Sequence, residues 1–299
     1  MHKSPFRLMA VLASAALVLS ACGTDDDATD DDTDNGAAAG GDDTDDDEAT
    51  DGGGDRDGGL TIGIKFDQPG LGLMDGDTPS GLDVDVAIAV AEGLDYSEDQ
   101  ITWKESPSAQ RETLLDTGQV DMIFATYSIT DERKETVQFA GPYFVAGQDL
   151  LVVEDSEIAG PEDFTNEILC SVTGSTSAAN VQEDYPDLQL QEYATYSECV
   201  EQLANGTIDA LTTDDVILAG FAAQEQYEGQ LKVAGTTFSE ENYGVGLPKD
   251  GENCEEINEI INGLWEDGTM EQILEDNLGA ADYTPNEELN PPDAGGHCG

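Results

Sequence analysis

The run Ala125-Thr-Tyr-Ser-Ile-Thr-Asp-Glu-Arg133 holds the residues best placed to do chemistry. Residues 120–124 before it are apolar and β-rich, the pattern of a short buried strand. Thr130 is placed to cap a helix, with Asp131 and Glu132 in the first turn, where the dipole favours acids. Arg133 then stands near the positive end of a short helix, just past the carboxyl end of a strand. In an open α/β sheet that is where ligands bind. A guanidinium there offers a flat, two-pronged donor suited to a carboxylate. The chemistry is recognition of a small carboxylic acid. A surface pairing of Arg133 with Asp131 or Glu135 is the bland alternative.

The elements around that arginine fall into two series. Residues 60–65 read as a strand, 81–92 as an apolar-faced helix that Asp83 would cap, and 101–104 as a strand. A helix over 108–116, begun by Ser108 or Pro107, leads to strand 120–124. This β-α-β-α-β alternation argues for a parallel, doubly wound sheet. The apolar run 145–153 reads as a strand leaving the first series. A second series follows: strand 168–172, a helix from Ala178, a helix capped by Ser197 and ending at Asn205-Gly206, strand 207–212, a helix opened by Asp214, and strand 231–234. Residues 242–247 would carry the chain back, ahead of helices over 254–265 and 269–278 and a Pro/Gly-rich tail. The expected architecture is α/β with two lobes, each a doubly wound, mostly parallel sheet, joined by a two-strand hinge. Residues 60–147 and 244–299 would form the first lobe and 148–243 the second.

Composition narrows the partners. The 299 residues carry Lys+Arg 10 against Asp+Glu 66, a formal net charge of -56. Such a surface repels nucleic acid and anionic lipid headgroups, so neither is an expected partner. Screening in a salty medium would relieve the self-repulsion, which makes solubility there one reading of the charge. The only histidines are His2 and His297, near the two ends, so no Ser-His or Cys-His pair is available. The sequence shows neither a metal-ligand cluster nor a P-loop, so no metal and no cofactor is expected.

The first residues have the pattern of a secretion signal, with Lys3 and Arg7 ahead of an apolar stretch over 8–19 that is too short to span a membrane. It closes with Leu19-Ser-Ala-Cys22, which resembles the lipobox of bacterial lipoproteins. The resemblance implies a signal peptide over 1–21, cleavage before Cys22 and a lipid anchor on that cysteine, with membrane attachment by lipid alone. Residues 22–59, nearly all Asp, Gly, Thr and Ala past Cys22, would form an acidic, disordered tether.

The folded part resembles the amino-acid-binding proteins of ABC importers, the type II periplasmic-binding-protein fold, and within them the glutamate-binding lipoproteins of Gram-positive bacteria. The motifs that carry it are Ile64-Lys-Phe-Asp-Gln-Pro-Gly70, Gly81-Leu-Asp-Val-Asp85, the Ala125–Arg133 run, Phe139-Ala-Gly-Pro-Tyr143, Cys170-Ser-Val-Thr-Gly-Ser-Thr-Ser177 and Thr213-Asp-Asp215. What this implies is a monomer that captures glutamate between its lobes and delivers it to an ABC permease. Arg133 would hold the α-carboxylate, helped by backbone N–H groups after Ser128 and around Ser175 and Thr176. Asp214 would take the α-ammonium, with the Ser128 hydroxyl and the Thr126 carbonyl beside it. Lys65 and Arg111 would meet the side-chain carboxylate, and Ser108 and Thr173 complete the ligand set. After Lys3, Arg7 and Arg56, only seven basic residues remain, so several at one site favour an anionic ligand. Two other classes are open: a dehydratase on the same fold, and a ligand-sensing module docking on a separate receptor. Turnover of an arogenate-like substrate separates the first from stoichiometric binding.

With Cys22 lipidated, four cysteines remain and three pairings are possible. Cys170 with Cys199 and Cys254 with Cys298 is the preferred set, because pairing within lobes leaves the hinge free. Tyr127 and Tyr143 fit either the cleft or the core.

Overall fold

The computed structural model describes residues 58–281 and 283–299. The expected signal peptide, Cys22 and all of the tether before residue 58 lie outside them. The described chain opens with β1 (Leu60–Ile64), then folds a small antiparallel sheet from β2 (Asp67–Gln68), β3 (Gly72–Asp75) and β4 (Thr78–Ser80). Helix α1 (Leu82–Gly93), β5 (Ile101–Glu105), α2 (Arg111–Asp116), β6 (Met122–Ile123), α3 (Asp131–Lys134) and β7 (Val137–Ala146) follow. Next come β8 (Gln148–Val153), β9 (Ile168–Val172), α4 (Thr176–Asp184), β10 (Gln189–Tyr193), α5 (Tyr196–Ala204), β11 (Ala210–Asp214), α6 (Asp215–Ala222) and β12 (Leu231–Val233). Last are β13 (Glu241–Pro248), α7 (Cys254–Glu266), which packs on β7, and α8 (Thr269–Leu278), which packs on α1.

Two five-stranded sheets result, ordered β5-β1-β6-β13-β7 and β10-β9-β11-β8-β12. Within each, three strands pair in parallel and one strand runs against the rest, β13 in the first and β8 in the second. The reversed strands have a common cause. The chain leaves the first sheet along β7, turns through Gly147 and enters the second as β8; it leaves by β12 and re-enters the first as β13. The crossings lie side by side: the Phe238 N–H donates to the Gln148 carbonyl at 2.9 Å and the Gln148 N–H to the Ser239 hydroxyl at 3.2 Å. A Cβ added at Gly147 would come within 2.7 Å of Thr237 Cβ, so only glycine lets the two crossings touch.

Apolar burial explains the layers. All ten residues of β7 are buried, and α1 turns Val84, Val86, Ala87, Val90 and Ala91 inward. Disulfides join Cys170 to Cys199 and Cys254 to Cys298. The second pins the tail beside β7, where the Gly295 N–H donates to the Gly141 carbonyl and the Asn290 side chain brackets the backbone of Val145.

Several local expectations are corrected. Asp83 does not cap α1, whose N-cap is Gly81; its carboxylate turns into the core. The strand expected over 120–124 pairs only at Met122–Ile123. Ser108 begins a 3₁₀ turn capped by Pro107, and the α-helix starts at Arg111. The run 145–153 is broken at Gly147, α4 begins at Thr176 rather than Ala178 with Ser175 as its cap, and Thr195 rather than Ser197 caps α5. The strand expected over 207–212 lies at Ala210–Asp214, which moves Asp214 to its carboxyl end. β10 went unseen because Gln189-Leu-Gln-Glu-Tyr is an edge strand with little apolar content.

Candidate functional site

Polar residues gather where the parallel strands end. Lys65 follows β1, Ser106 and Ser108 follow β5, and Thr126 and Ser128 follow β6. From the second sheet, Ser175 and Thr176 follow β9, and Asp214 closes β11. Parallel pairing aligns these ends, so residues distant in sequence become neighbours.

Three cations are buried on the first-lobe side, with exposures of 4 % at Lys65, 2 % at Arg111 and 8 % at Arg133. Those values rule out a solvated-surface role. Lys65 Nζ donates to the Ser108 hydroxyl at 2.7 Å. Burial, then the nearby Arg111 guanidinium, lowers its pKa to about 7. Arg111 donates from Nη1 to the Ala125 carbonyl at 3.0 Å, while its Nε is buried without a hydrogen-bond partner. Arg133 donates from Nη1 to the Ser128 carbonyl at 2.6 Å and from Nη2 to the Gly174 carbonyl at 3.2 Å. Burial and Arg111 together hold it down at about 10. Thr130 caps α3 as expected, accepting from the Arg133 N–H. Asp131 pairs with Lys134 instead of Arg133, whose ion-pair partner is Glu112 at 3.4 Å.

Both guanidiniums lie over the fully buried ring of Tyr127, at 4.1 Å for Arg111 and 5.0 Å for Arg133. Tyr127 therefore belongs to the core and to the site. Tyr143 reaches the site only through its hydroxyl, which donates to Asp83 Oδ1 at 2.6 Å. Asp83 Oδ2 accepts from the Thr126 N–H at 2.9 Å, and the β-branched Thr126 sits at φ 45°. That backbone region is sparsely populated, and such residues cluster at binding sites. Burial raises the Asp83 carboxyl to about 6, opposed by these two hydrogen bonds. Beside them, the buried Gln68 accepts from the Thr126 hydroxyl at 3.3 Å and leaves its Nε2 unpartnered.

On the second-lobe side Asp214 is buried and raised well above the usual carboxylate range, by desolvation first and Glu241 second. The Tyr243 hydroxyl donates to its Oδ2 at 2.5 Å, and the Ser177 hydroxyl reaches its Oδ1 at 3.5 Å. It occupies the N-cap position of α6 without capping through its side chain. Ser175 is occupied in capping α4, accepting from the Ala178 N–H. Thr173 stands apart from the cluster with an exposed side chain.

Contacts between the lobes bring the two sides together: Arg133 to Gly174 and Ser128 to Thr176, the latter between hydroxyls at 3.2 Å. The cleft is closed. A cavity of about 590 Å³ opens outside it, lined by Ser108, Glu112, Arg133, Gly174 and Thr176 among others. A second cavity of about 610 Å³ lies toward the hinge, lined by Asp149, Asp215 and Tyr283; none of the three buried cations reaches it, so it is not the site.

The arrangement presents buried positive charge and unpartnered donors, Arg111 Nε and Gln68 Nε2, on one lobe and a buried acid on the other. It can neutralise a zwitterion that carries further acceptors. Of the expected residues, Lys65 meets Ser108, Arg111 lies against Ala125 beside Thr126, and Arg133 and Ser128 reach Gly174 and Thr176, while Asp214 lies against Tyr243 and Ser177. Asp83, Glu112, Gln68 and Tyr243 were missed as site residues. Neither Glu112 nor Tyr243 had a local signal, since Glu112 meets Tyr127 and Arg133, 15 and 21 residues on, and Tyr243 meets Asp214 29 residues away.

Residues 60–280 match the bacterial extracellular solute-binding proteins, family 3. The chain is 48% identical over 249 residues to the glutamate-binding protein GluB of Corynebacterium glutamicum, covering 79% of this chain and 83% of that one. It is 34% identical to the ABC transporter glutamine-binding protein GlnH of Bacillus subtilis, covering 72% and 79%. The structure of an ancestral arginine-binding protein bound to arginine superposes with a TM-score of 0.68 at 30% identity, over 74% of this chain and 99% of the other. The chain belongs to the family 3 bacterial extracellular solute-binding proteins.

Proposed function

We propose that this protein captures glutamate between its two lobes and hands it to the permease of an ABC importer. The observation that carries the reading is the burial of three cations at the strand ends of one lobe and of Asp214, pushed toward neutrality by desolvation, at a strand end of the other. Arg133 takes the α-carboxylate, Asp214 the α-ammonium, and Lys65 with Arg111 the side-chain carboxylate. The likeness to the Corynebacterium glutamate-binding protein supports the choice of glutamate. Thr126 and Ser128 line the path of the ammonium, Ser108 orients Lys65, and the Ser175–Thr176 turn offers N–H groups to the carboxylate.

On this reading the protein binds and releases without chemistry, works as a monomer, and is held outside the cell by a lipid on Cys22. Lobe 1 comprises 60–147 and 244–299, lobe 2 the residues between, and the acidic tether lets the body swing between free and docked positions. Calorimetry of ligand-stripped protein against glutamate, glutamine, aspartate and arginine tests the proposal. Glutamate should bind tightest, one per chain. Equal affinity for glutamine would remove Lys65 and Arg111 from their assigned roles.

A further inference from the structure

Arg133 is restrained on every side but one. Its guanidinium carries five N–H donors. One Nη1 donor goes to the Ser128 carbonyl, one Nη2 donor to the Gly174 carbonyl, and Nε faces Glu112 Oε1. One N–H remains on each Nη, free to donate to a carboxylate. Glu112 Oε1 also accepts from the Tyr127 hydroxyl at 2.7 Å, and the Tyr127 ring underlies both guanidiniums. Of these restraints Gly174 alone belongs to the second lobe, so it holds only while the cleft is closed. With the cleft open, Glu112, Tyr127 and Ser128 are what keep the arginine in its pose.

We infer that Glu112 is a positioning residue for the carboxylate-holding arginine: tied to Tyr127, it holds Nε and leaves the Nη pair for the ligand. The inference rests on the reading of Arg133 as the α-carboxylate partner. A half-exposed carboxylate beside an anion site is otherwise unfavourable, since it repels the ligand. Its double engagement of Arg133 and Tyr127 explains its presence. An arginine pre-set in this way spares the ligand the entropy of ordering it.

The test compares wild type, Glu112→Gln and Tyr127→Phe in calorimetry with glutamate, glutamine and isoglutamine, whose α-carboxylate is an amide. Glu112→Gln keeps an acceptor for Tyr127 and removes the charge. The preference for glutamate over isoglutamine should fall about tenfold, with the preference for glutamate over glutamine unchanged. Tyr127→Phe keeps the ring and removes the tether on Glu112, and should move the first ratio the same way by less. A uniform loss for all three ligands would mean a merely structural residue and overturn the inference. So would unchanged affinities, or a shift in the glutamate-to-glutamine ratio. If wild type bound none of the three, the functional reading itself would fail, and this inference with it.

Discussion

Lys65 makes a pH signature that no surface lysine would produce. Burial and Arg111 bring its pKa from 10.5 to about 7 in the closed cleft. A side-chain carboxylate placed against it restores the charged form, so the ligand-bound pKa rises. Below pH 7 Lys65 is charged with or without ligand, and affinity does not depend on its titration. Above pH 7 binding must first protonate it, so affinity falls as pH rises. Between about pH 6 and about pH 8.5 the loss is about thirtyfold, or about 2 kcal/mol. Glutamine, with no charge at that end, shares every other titration in the cleft, so the ratio of the two affinities isolates Lys65. Calorimetry in buffers of different ionisation enthalpy should also show uptake of nearly one proton per glutamate at about pH 8. Lys65→Arg should flatten the ratio, because a guanidinium stays charged throughout. A wild-type ratio that does not change between these pH values would refute the placement of the side-chain carboxylate at Lys65.

Two further outcomes follow from the packing. Gly174 has φ +80°, and a Cβ there would meet Ala109 Cα at 2.7 Å across the cleft. Gly174→Ala should therefore fold yet close poorly, with affinity down at least about tenfold and no ligand-induced compaction in small-angle scattering; wild-type affinity would show that the lobes need not approach so closely. The Cys170–Cys199 bond closes a loop of sequence separation 29, which the chain-entropy relation values at about 3.6 kcal/mol. Replacing both with Ala should lower the melting temperature by about 10 °C while leaving glutamate over glutamine selectivity intact, since the bond ties β9 to α5 within the second lobe, away from Lys65 and Arg111; an altered selectivity would mean that the bond shapes the cleft.

What was legible in the sequence was what depends on neighbours in the chain. Thr130 as a cap, Arg133 just past a strand and the apolar faces of the long helices all follow from spacings of a few residues, and the structure shows each of them. The pairing of cysteines within each sheet's surroundings was readable for a related reason, the wish to leave the crossings unconstrained. Asp83 shows the limit. Its helix-start position predicted a cap, but its partners Thr126 and Tyr143 are 43 and 60 residues away, and their pull is visible only once the strands are aligned. Glu112 was hidden differently. A glutamate in the first turn of a helix is ordinary, and nothing local says that its oxygen meets both Tyr127 and Arg133.

The distribution of charge between the lobes bears on how closure is driven. In the closed cleft burial pushes Lys65 and Asp214 in opposite directions, each toward neutrality. Lys65 keeps its first-lobe neighbours Ser108 and Arg111 whether the cleft is open or closed. Asp214 is the group that closure strips of water, and an acidic amino acid relieves both, because its carboxylates meet the cations and its ammonium meets Asp214. The cations all belong to the first lobe, as do Glu112 and Tyr127, which brace them. A ligand can dock on that lobe by its two carboxylates while the cleft is open. Asp214 then gains a reason to approach only when an ammonium is already present. Hinge closure in this protein is thus coupled to the part of the ligand that the first lobe leaves unbound.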